Sequence, residues 1–231
     1  MPLFPFLIYY GHDHHMSVFD RFITTVLEPE HYPNVLASQS ECYAYLSVGE
    51  VHPARSYFSL LRKKNLLKKK HPVWQSYALP LSPFWQELIF EEIVPMFIEG
   101  GYVGIMLDTV ESLLHYKLAA PKEIIAFIAS LKERFPMLKI MLNRTFSLAC
   151  DLPVDAILLE STLSGYDFTN NKPFRHTNPI HYDFSIPRYS VDYWDTDDLD
   201  GSFELYKDAL SRGYQPLVTD ISLQVLPSYA R

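Results

Sequence analysis

An apolar run leads straight into a carboxylate in Gly104-Ile105-Met106-Leu107-Asp108 and again in Ala156-Ile157-Leu158-Leu159-Glu160. A continuous apolar run that ends at a charge is typical of a buried parallel strand that stops at an open face. Two such strands in one chain can direct two carboxylates into one cleft. Because paired carboxylates are the minimum requirement for cleaving a glycosidic bond, Asp108 and Glu160 are the candidate catalytic residues.

Outward from these two segments, strand-like and helical patterns alternate along the chain. Eight strands separated by helices, without repeated hairpin signals, predict a single α/β domain over residues 1–231, folded as a (β/α)8 TIM barrel. A doubly wound open sheet is the alternative, but it would normally need a glycine-rich first turn, which Tyr10-Gly11-His12 does not provide. The predicted strands cover residues 6–10, 41–47, 73–77, 103–107, 139–142, 156–160, 190–194 and 215–219, and the predicted helices cover residues 16–27, 53–64, 83–97, 121–135, 146–148 and 199–212.

Composition is consistent with this fold and excludes some classes of partner. With 231 residues and 48% hydrophobic content, the chain can bury the core of one barrel. The net charge of −7 argues against a nucleic-acid-binding surface and suits neutral or cationic ligands. No apolar stretch approaches the ~20 residues of a membrane span, and the first residues show no signal-peptide pattern. Cys42 and Cys150 are expected to be buried free thiols.

Polar residues stand where most of the predicted strands end, which is the face where barrel enzymes carry their active sites. Any one of them could instead cap a helix or order a loop. Asp108 and Glu160 are 52 residues apart (160 − 108), which is near the roughly 60 residues that two strand–helix units need, so they would follow strands four and six. A carboxyl separation of about 5 Å would indicate a retaining mechanism, and roughly 6.5–9.5 Å an inverting one. The strand-end residues are Glu50, Asp108, Asn143, Glu160, Asp192 and Asp220.

A histidine-rich segment, His12-Asp13-His14-His15, follows the first predicted strand. A His-x-His pair at that position can bind a catalytic metal in barrel hydrolases. Such a site would also need imidazoles after strands five and six, where Asn143 and Glu160 stand instead. We therefore predict no metal site and no cofactor, and we expect these histidines at the rim of the site.

Two loops are candidates for the surroundings of the site. Gly49 lets the backbone turn tightly and place Glu50 in the mouth, where Arg55 could pair with it. Residues 165–187 are rich in Asn, Pro, Tyr and His and show no clear period. A long loop without secondary structure is often functional, so this segment is expected to form a lid or a rim.

Six segments, which together extend over most of the chain, carry a more specific pattern than any single motif. Their order and spacing matter more than any one of them. They are Tyr45-Leu46-Ser47-Val48-Gly49-Glu50 with Arg55, Gly101-Tyr102-Val103-Gly104-Ile105-Met106-Leu107-Asp108-Thr109-Val110, Leu142-Asn143-Arg144, Val154-Asp155-Ala156-Ile157-Leu158-Leu159-Glu160-Ser161, Val191-Asp192-Tyr193 and Gly213-Tyr214-Gln215-Pro216-Leu217-Val218-Thr219-Asp220.

With these segments the chain resembles glycoside hydrolase family 114, the endo-α-1,4-polygalactosaminidase-like barrels, and more distantly the hydrolase domain of the Pel polysaccharide protein. The resemblance implies a (β/α)8 hydrolase that acts on α-1,4-linked galactosamine-containing polysaccharide outside the cell or in the periplasm. By analogy with retaining α-glycosidases, Asp108 would be the nucleophile and Glu160 the general acid/base. Glu160 is then expected in the more apolar or more anionic setting. The expected substrate-binding residues are Tyr10, Tyr45, Glu50, Arg55, Asn143, Asp192, Tyr193 and Asp220.

Two other functions are compatible with the sequence. A glycan-binding barrel without catalysis would bind oligosaccharide yet release no reducing ends. A metal-dependent hydrolase would use His12 and His14 and would lose activity when treated with a chelator.

Overall fold

One sheet of eight parallel strands forms the centre of the computed structural model, which describes residues 4–149, 152–179, 181 and 183–230. Each strand is hydrogen-bonded to the next one along the chain, so the sheet order follows the sequence order. The sheet curls into a nearly closed barrel, and the prediction of a single-domain (β/α)8 barrel is confirmed. The strands are β1 Phe4–Tyr9, β2 Phe22–Leu27, β3 Glu41–Ser47, β4 Gly104–Asp108, β5 Lys139–Asn143, β6 Ala156–Glu160, β7 Arg188–Tyr193 and β8 Gln215–Thr219.

Helices cover only part of the barrel's outer surface. The clearest of them begins at Pro121, where a proline is well tolerated in the first turn, and the Glu123 carboxylate accepts a 2.6 Å hydrogen bond from the backbone N–H of Ala120. The α-helices are α1 Phe58–Lys63, α2 Pro83–Leu88 continued by the π-helical turn Ile89–Ile93 and by Val94–Glu99, α3 Val110–His115, α4 Pro121–Arg134, α5 Phe146–Ala149 and α6 Leu199–Ser211, with 3₁₀ turns at Met16–Arg21 and Ser228–Ala230.

Two sequence predictions near the start of the chain are wrong. Residues 16–27 form a 3₁₀ turn followed by β2, not one helix, because the β-branched run from Ile23 to Val26 favours a strand. The predicted third strand at 73–77 lies outside the barrel, where only Tyr77–Ala78 is extended and pairs antiparallel with Glu50–Val51. One strand was thus missed and one was added, so Asp108 and Glu160 still end strands four and six.

The predicted unstructured segment 165–187 is partly ordered. Ser164–Asp167 and Lys172–Arg175 form an antiparallel hairpin between β6 and β7. The Asp167 carboxylate stabilises its turn by accepting hydrogen bonds from the backbone N–H groups of Thr169 and Asn170.

The barrel core explains the apolar runs that end in carboxylates. Ile105–Leu107 and Ile157–Leu159 are almost completely buried, as expected for parallel strands that are covered on both faces. Cys42 is a buried free thiol, whose pKa is raised to about 11 by burial, whereas Cys150 lies outside the described residues. Among the helices of the described residues, none is both long and apolar enough to span a bilayer.

Candidate active site

Asp108 and Glu160 meet at the carboxyl end of the barrel, on either side of β5. The register pairs Leu107 with Leu142, so Asp108 and Asn143 end their strands side by side. The Asn143 Nδ2 amide donates to Asp108 Oδ1 at 2.7 Å and to Glu160 Oε1 at 2.7 Å. Because both oxygens contact the same nitrogen, they are at most about 5.4 Å apart, which is twice 2.7 Å.

Three other side chains complete the hydrogen bonding of the two carboxylates. The Tyr45 hydroxyl donates to Asp108 Oδ2 at 2.8 Å. Arg144 Nη2 donates to Glu160 Oε2 at 2.8 Å, and the Tyr193 hydroxyl donates to the same oxygen at 3.2 Å. Each carboxylate therefore receives donors on both of its oxygens, and both are held in defined orientations.

Tyr10 and Arg55 lie next to this group and contact it through Tyr45. The Tyr10 ring packs edge-on against the Tyr45 ring, with 4.9 Å between centroids, and the Arg55 guanidinium carbon lies 5.2 Å from the Tyr45 centroid. Arg55 does not pair with Glu50, as the sequence suggested, but forms a two-pronged ion pair with Glu28, in which Nη2 to Oε2 measures 2.6 Å. This buried pair fixes the guanidinium under the Tyr45 ring.

The backbone turns sharply after β4, β5 and β6, the strands that end at Asp108, Asn143 and Glu160. Thr109 follows Asp108 with φ 59°, Arg144 follows Asn143 with φ 55°, and Ser161 follows Glu160 with φ 56°. A left-handed conformation is costly for residues other than glycine and is often found at functional sites. The turn after β3 fits closely against this region, because a Cβ at Gly49 would collide with the carbonyl oxygen of Thr109.

The electrostatics of the pair differ from the expectation for Glu160. Burial, followed by the charge of Glu160, raises the pKa of Asp108, while hydrogen bonds from Asn143 and Tyr45 act in the opposite direction. Glu160 lies against the Arg144 guanidinium, so Asp108 and not Glu160 occupies the more apolar and more anionic setting.

Glu111 is a third carboxyl group near the pair, and the sequence analysis missed it. It stands in the first turn of α3, three residues after Asp108, and its Oε2 atom is buried without a hydrogen-bond partner. Burial and then the charge of Asp108 raise the pKa of Glu111 to about 7, against the opposing charge of Arg144. The one sequence signal for it is its position one helical turn after a strand-end carboxylate.

In two of the expected substrate-binding residues, the carboxylate oxygens accept hydrogen bonds from other groups of the protein. Glu50 is buried, and its carboxylate oxygens accept hydrogen bonds from the hydroxyls of Ser112, at 2.7 Å, and Ser76. Asp192 is completely buried, and it accepts from the Thr162 hydroxyl at 2.8 Å and from two backbone N–H groups of the same loop. With their oxygens enclosed in this way, both residues order loops, and their contact with substrate stays a prediction.

Asp220 lies at the rim, after β8. Its carboxylate accepts from the Ser222 hydroxyl at 2.9 Å and from the backbone N–H of Leu223 at 3.1 Å. The carbonyl of Leu223 in turn accepts a 2.8 Å hydrogen bond from the backbone N–H of Tyr10. Asp220 thus stabilises the turn that supports Tyr10, and it remains partly exposed.

The histidines of the loop after β1 contact residues other than Asp108 and Glu160. His12 forms an exposed 3.3 Å pair with Asp13, and the ring of His14 packs against Tyr9. Within the described part of the chain, no three His, Cys, Asp or Glu side chains are grouped so that they could hold a metal ion.

Two carboxylates that share one amide donor at the mouth of a parallel barrel are the arrangement of a barrel glycoside hydrolase. Residues 15–230 match the family model of glycoside-hydrolase family GH114, and the chain belongs to this family. The resemblance that was drawn from the six sequence segments is thereby confirmed.

Solved structures support the same fold. The glycoside hydrolase domain of PelA from Pseudomonas aeruginosa superimposes with a TM-score of 0.81 at 22% identity, over 96% of this chain and 96% of that chain. Ega3 from Aspergillus fumigatus, solved in complex with galactosamine, gives a TM-score of 0.67 at 11% identity, over 96% of this chain and 92% of that one. No curated protein sequence matches this chain.

Proposed function

We propose that this glycoside hydrolase cleaves α-1,4-linked galactosamine-containing polysaccharide with retention of configuration. The observation that carries the proposal is the Asn143 amide, which binds one oxygen of Asp108 and one of Glu160. The resulting upper limit of about 5.4 Å between those two oxygens is compatible with the carboxyl spacing of retaining glycosidases, about 5–5.5 Å.

In the proposed first step, the Asp108 carboxylate attacks the anomeric carbon while the bond to the glycosidic oxygen breaks. Glu160 gives its proton to that oxygen, and the covalent glycosyl–Asp108 intermediate forms. In the second step, a water molecule gives a proton to Glu160 and attacks the anomeric carbon, which releases Asp108. Burial and the charge of Glu160 raise the pKa of Asp108, and the hydrogen bonds from Tyr45 and Asn143 oppose this rise and so support the ionised form that attack requires. Arg144 stabilises the charge on Glu160 after proton donation.

The charge of the site supports an amino-sugar substrate. Asp108, Glu111 and Glu160 place three carboxyl groups near one guanidinium, that of Arg144, and the whole chain carries a net charge of −7. Galactosamine units without an acetyl group carry an ammonium, which would reduce the repulsion among these carboxyls. The similar Ega3 structure contains galactosamine, which agrees with this substrate class.

The test uses the purified protein with a partly deacetylated α-1,4-galactosamine polymer. We expect new reducing ends from the wild type, and α-anomeric product in early proton NMR spectra. Asp108→Asn and Glu160→Gln should both lose polymer cleavage, whereas Glu133→Gln, which changes an exposed glutamate of α4, should not. A polymer that binds but yields no reducing ends would refute catalysis in favour of a glycan-binding barrel, and β-anomeric product would refute retention.

The roles of the two carboxylates are separated with an aryl galactosaminide that has a good leaving group. An acid/base variant should still form the glycosyl intermediate from this substrate, and azide should then restore turnover with retained configuration. A nucleophile variant should instead give the inverted glycosyl azide. We expect the first behaviour from Glu160→Ala and the second from Asp108→Gly, and the reverse result would exchange the assigned roles.

A further inference from the structure

Two loops that project from the barrel touch each other through exposed aromatic rings. We call residues 68–78 the first arm and residues 164–175 the second arm. Trp74 at the tip of the first arm meets Phe168 of the second arm edge to face, with 5.5 Å between ring centroids and an interplanar angle of 90°. The Tyr166 ring also packs edge-on against Phe168, with 5.2 Å between ring centroids. Trp74 and Phe168 are 51% and 50% exposed, so their rings belong to the solvent-exposed surface and not to the hydrophobic core.

The first arm is tied to the helix that follows Asp108. The Ser76 hydroxyl of this arm donates to Glu50, and the same carboxylate accepts from Ser112 of α3. The Lys69 ammonium of the arm also lies 5.7 Å from the ring centroid of Tyr116, directly after α3. The position of the first arm is therefore coupled to α3, the helix that follows Asp108.

The second arm is tied to the loop that follows Glu160. It begins at Ser164, four residues after Glu160, and its base is fixed by the buried Asp192 carboxylate through the N–H groups of Leu163 and Ser164. The Ser164 hydroxyl donates to the carbonyl of Tyr193 at 2.9 Å, one residue further along β7. The first arm lies between α1 and α2, in the connection from β3 to β4, and the second arm follows β6, so the two arms belong to the segments before Asp108 and after Glu160.

The chemistry of this surface suits a sugar chain. Pyranose rings present faces of C–H groups, which pack against flat aromatic rings, and an ammonium on the sugar is attracted to the face of a tryptophan or tyrosine. An exposed group of large apolar side chains that continues from an active site commonly marks a binding surface. About half of the surface of Trp74 and of Phe168 remains exposed beside their mutual contact and is available to a ligand.

We propose that Trp74, Phe168 and Tyr166 form a sugar-stacking subsite, which binds a unit of the polysaccharide remote from the bond that is cleaved. The inference rests on the proposed function, because it assigns the occupant as the galactosamine-containing chain held by Asp108 and Glu160. Such a subsite favours chains that are long enough to occupy the arms and the catalytic cleft at the same time.

The test compares two substrates and several variants. Trp74→Ala and Phe168→Ala should each lower kcat/KM on the polymer about tenfold, as expected for loss of one stacked ring, and leave kcat/KM on a trisaccharide unchanged. Trp74→Phe should restore most of the loss. The matched control is Phe203→Ala, which removes a similarly exposed ring from α6. An equal loss on both substrates, or no loss on the polymer, would overturn the subsite while leaving the proposed function intact.

A binding measurement keeps the two proposals separate. Polymer affinity is measured by calorimetry with the Asp108→Asn protein and with the Asp108→Asn, Trp74→Ala double variant, which needs no catalysis. A roughly tenfold weaker binding by the double variant supports the subsite even if the wild type releases no reducing ends. Equal affinities, or no polymer binding by either protein, would refute it.

Discussion

Replacing Glu111 by Gln should stabilise the protein above neutral pH and have little effect in acid. Burial raises the pKa of Glu111 from its ordinary 4.5 to about 7 in the folded protein, with the charges of Asp108 and Glu160 adding to the rise and that of Arg144 opposing it. Between these pKa values the folded protein binds more protons than the unfolded chain, so Glu111 makes stability fall as pH rises from 4.5 to about 7. Glutamine has nearly the same shape as the protonated acid and does not ionise.

The size of the effect follows from the same pKa values. One pKa unit corresponds to about 1.4 kcal/mol, so a rise from 4.5 to about 7 amounts to at most about 3.5 kcal/mol in the free energy of unfolding. The stabilisation by Glu111→Gln should therefore grow between pH 4.5 and 7 and become constant above pH 7. Urea denaturation of both proteins across this range measures it, with Glu92→Gln, at an exposed position of α2, as the control. A difference that does not change with pH, or that favours the wild type at pH 8, would refute the reasoning.

Three further substitutions test the contacts around the carboxylates. Asn143→Ala removes the donor shared by Asp108 and Glu160, so it should lower kcat on the polymer about 10²–10³-fold with little change in KM. An unchanged kcat would contradict a positioning role for Asn143. Arg144→Met should lower kcat by removing the guanidinium beside Glu160, and Arg144→Lys should recover part of the loss in the same reducing-end assay. Asp192→Asn leaves one of three buried donors without an acceptor and should lower the free energy of unfolding by about 1–3 kcal/mol in urea, and an unaltered midpoint would argue against its structural role.

The strands that carry Asp108 and Glu160, β4 and β6, were predictable because their sequence signal is local. Each of these five-residue strands is an uninterrupted apolar run that ends at Asp108 or Glu160. Neither run shows the spacing of apolar residues that would indicate a helix. β2 was missed because the apolar residues from Val18 to Val26 fit a helical spacing, while the strand signal lies only in its β-branched residues. In this segment the spacing of apolar residues indicated a helix, whereas the β-branched side chains indicated a strand. The segment forms a strand because it pairs with both β1 and β3.

The roles of the strand-end residues could not be read from the sequence. Glu50 and Asp192, like Asp108, are acids near the carboxyl end of a strand, yet their oxygens are occupied by serine, threonine and backbone donors. Whether an acid faces the mouth or a loop depends on donors that lie 26 to 62 residues away for Glu50. Such long-range contacts leave no local pattern.

The turns after the strands, more than the strands themselves, set the geometry of the pair. An extended strand would carry the residue after Asp108 or Glu160 onward along the barrel wall, but the left-handed residues Thr109 and Ser161 turn the chain at once. Each such residue costs about 1–3 kcal/mol and persists only where its surroundings hold it. The Ser161 N–H is held by the carbonyl of Val191 at 2.7 Å, and the Arg144 N–H by the carbonyl of Leu158 at 3.1 Å. Because Val191 lies in β7 and Leu158 in β6, the pairing of adjacent strands stabilises the strained turns that follow β5 and β6.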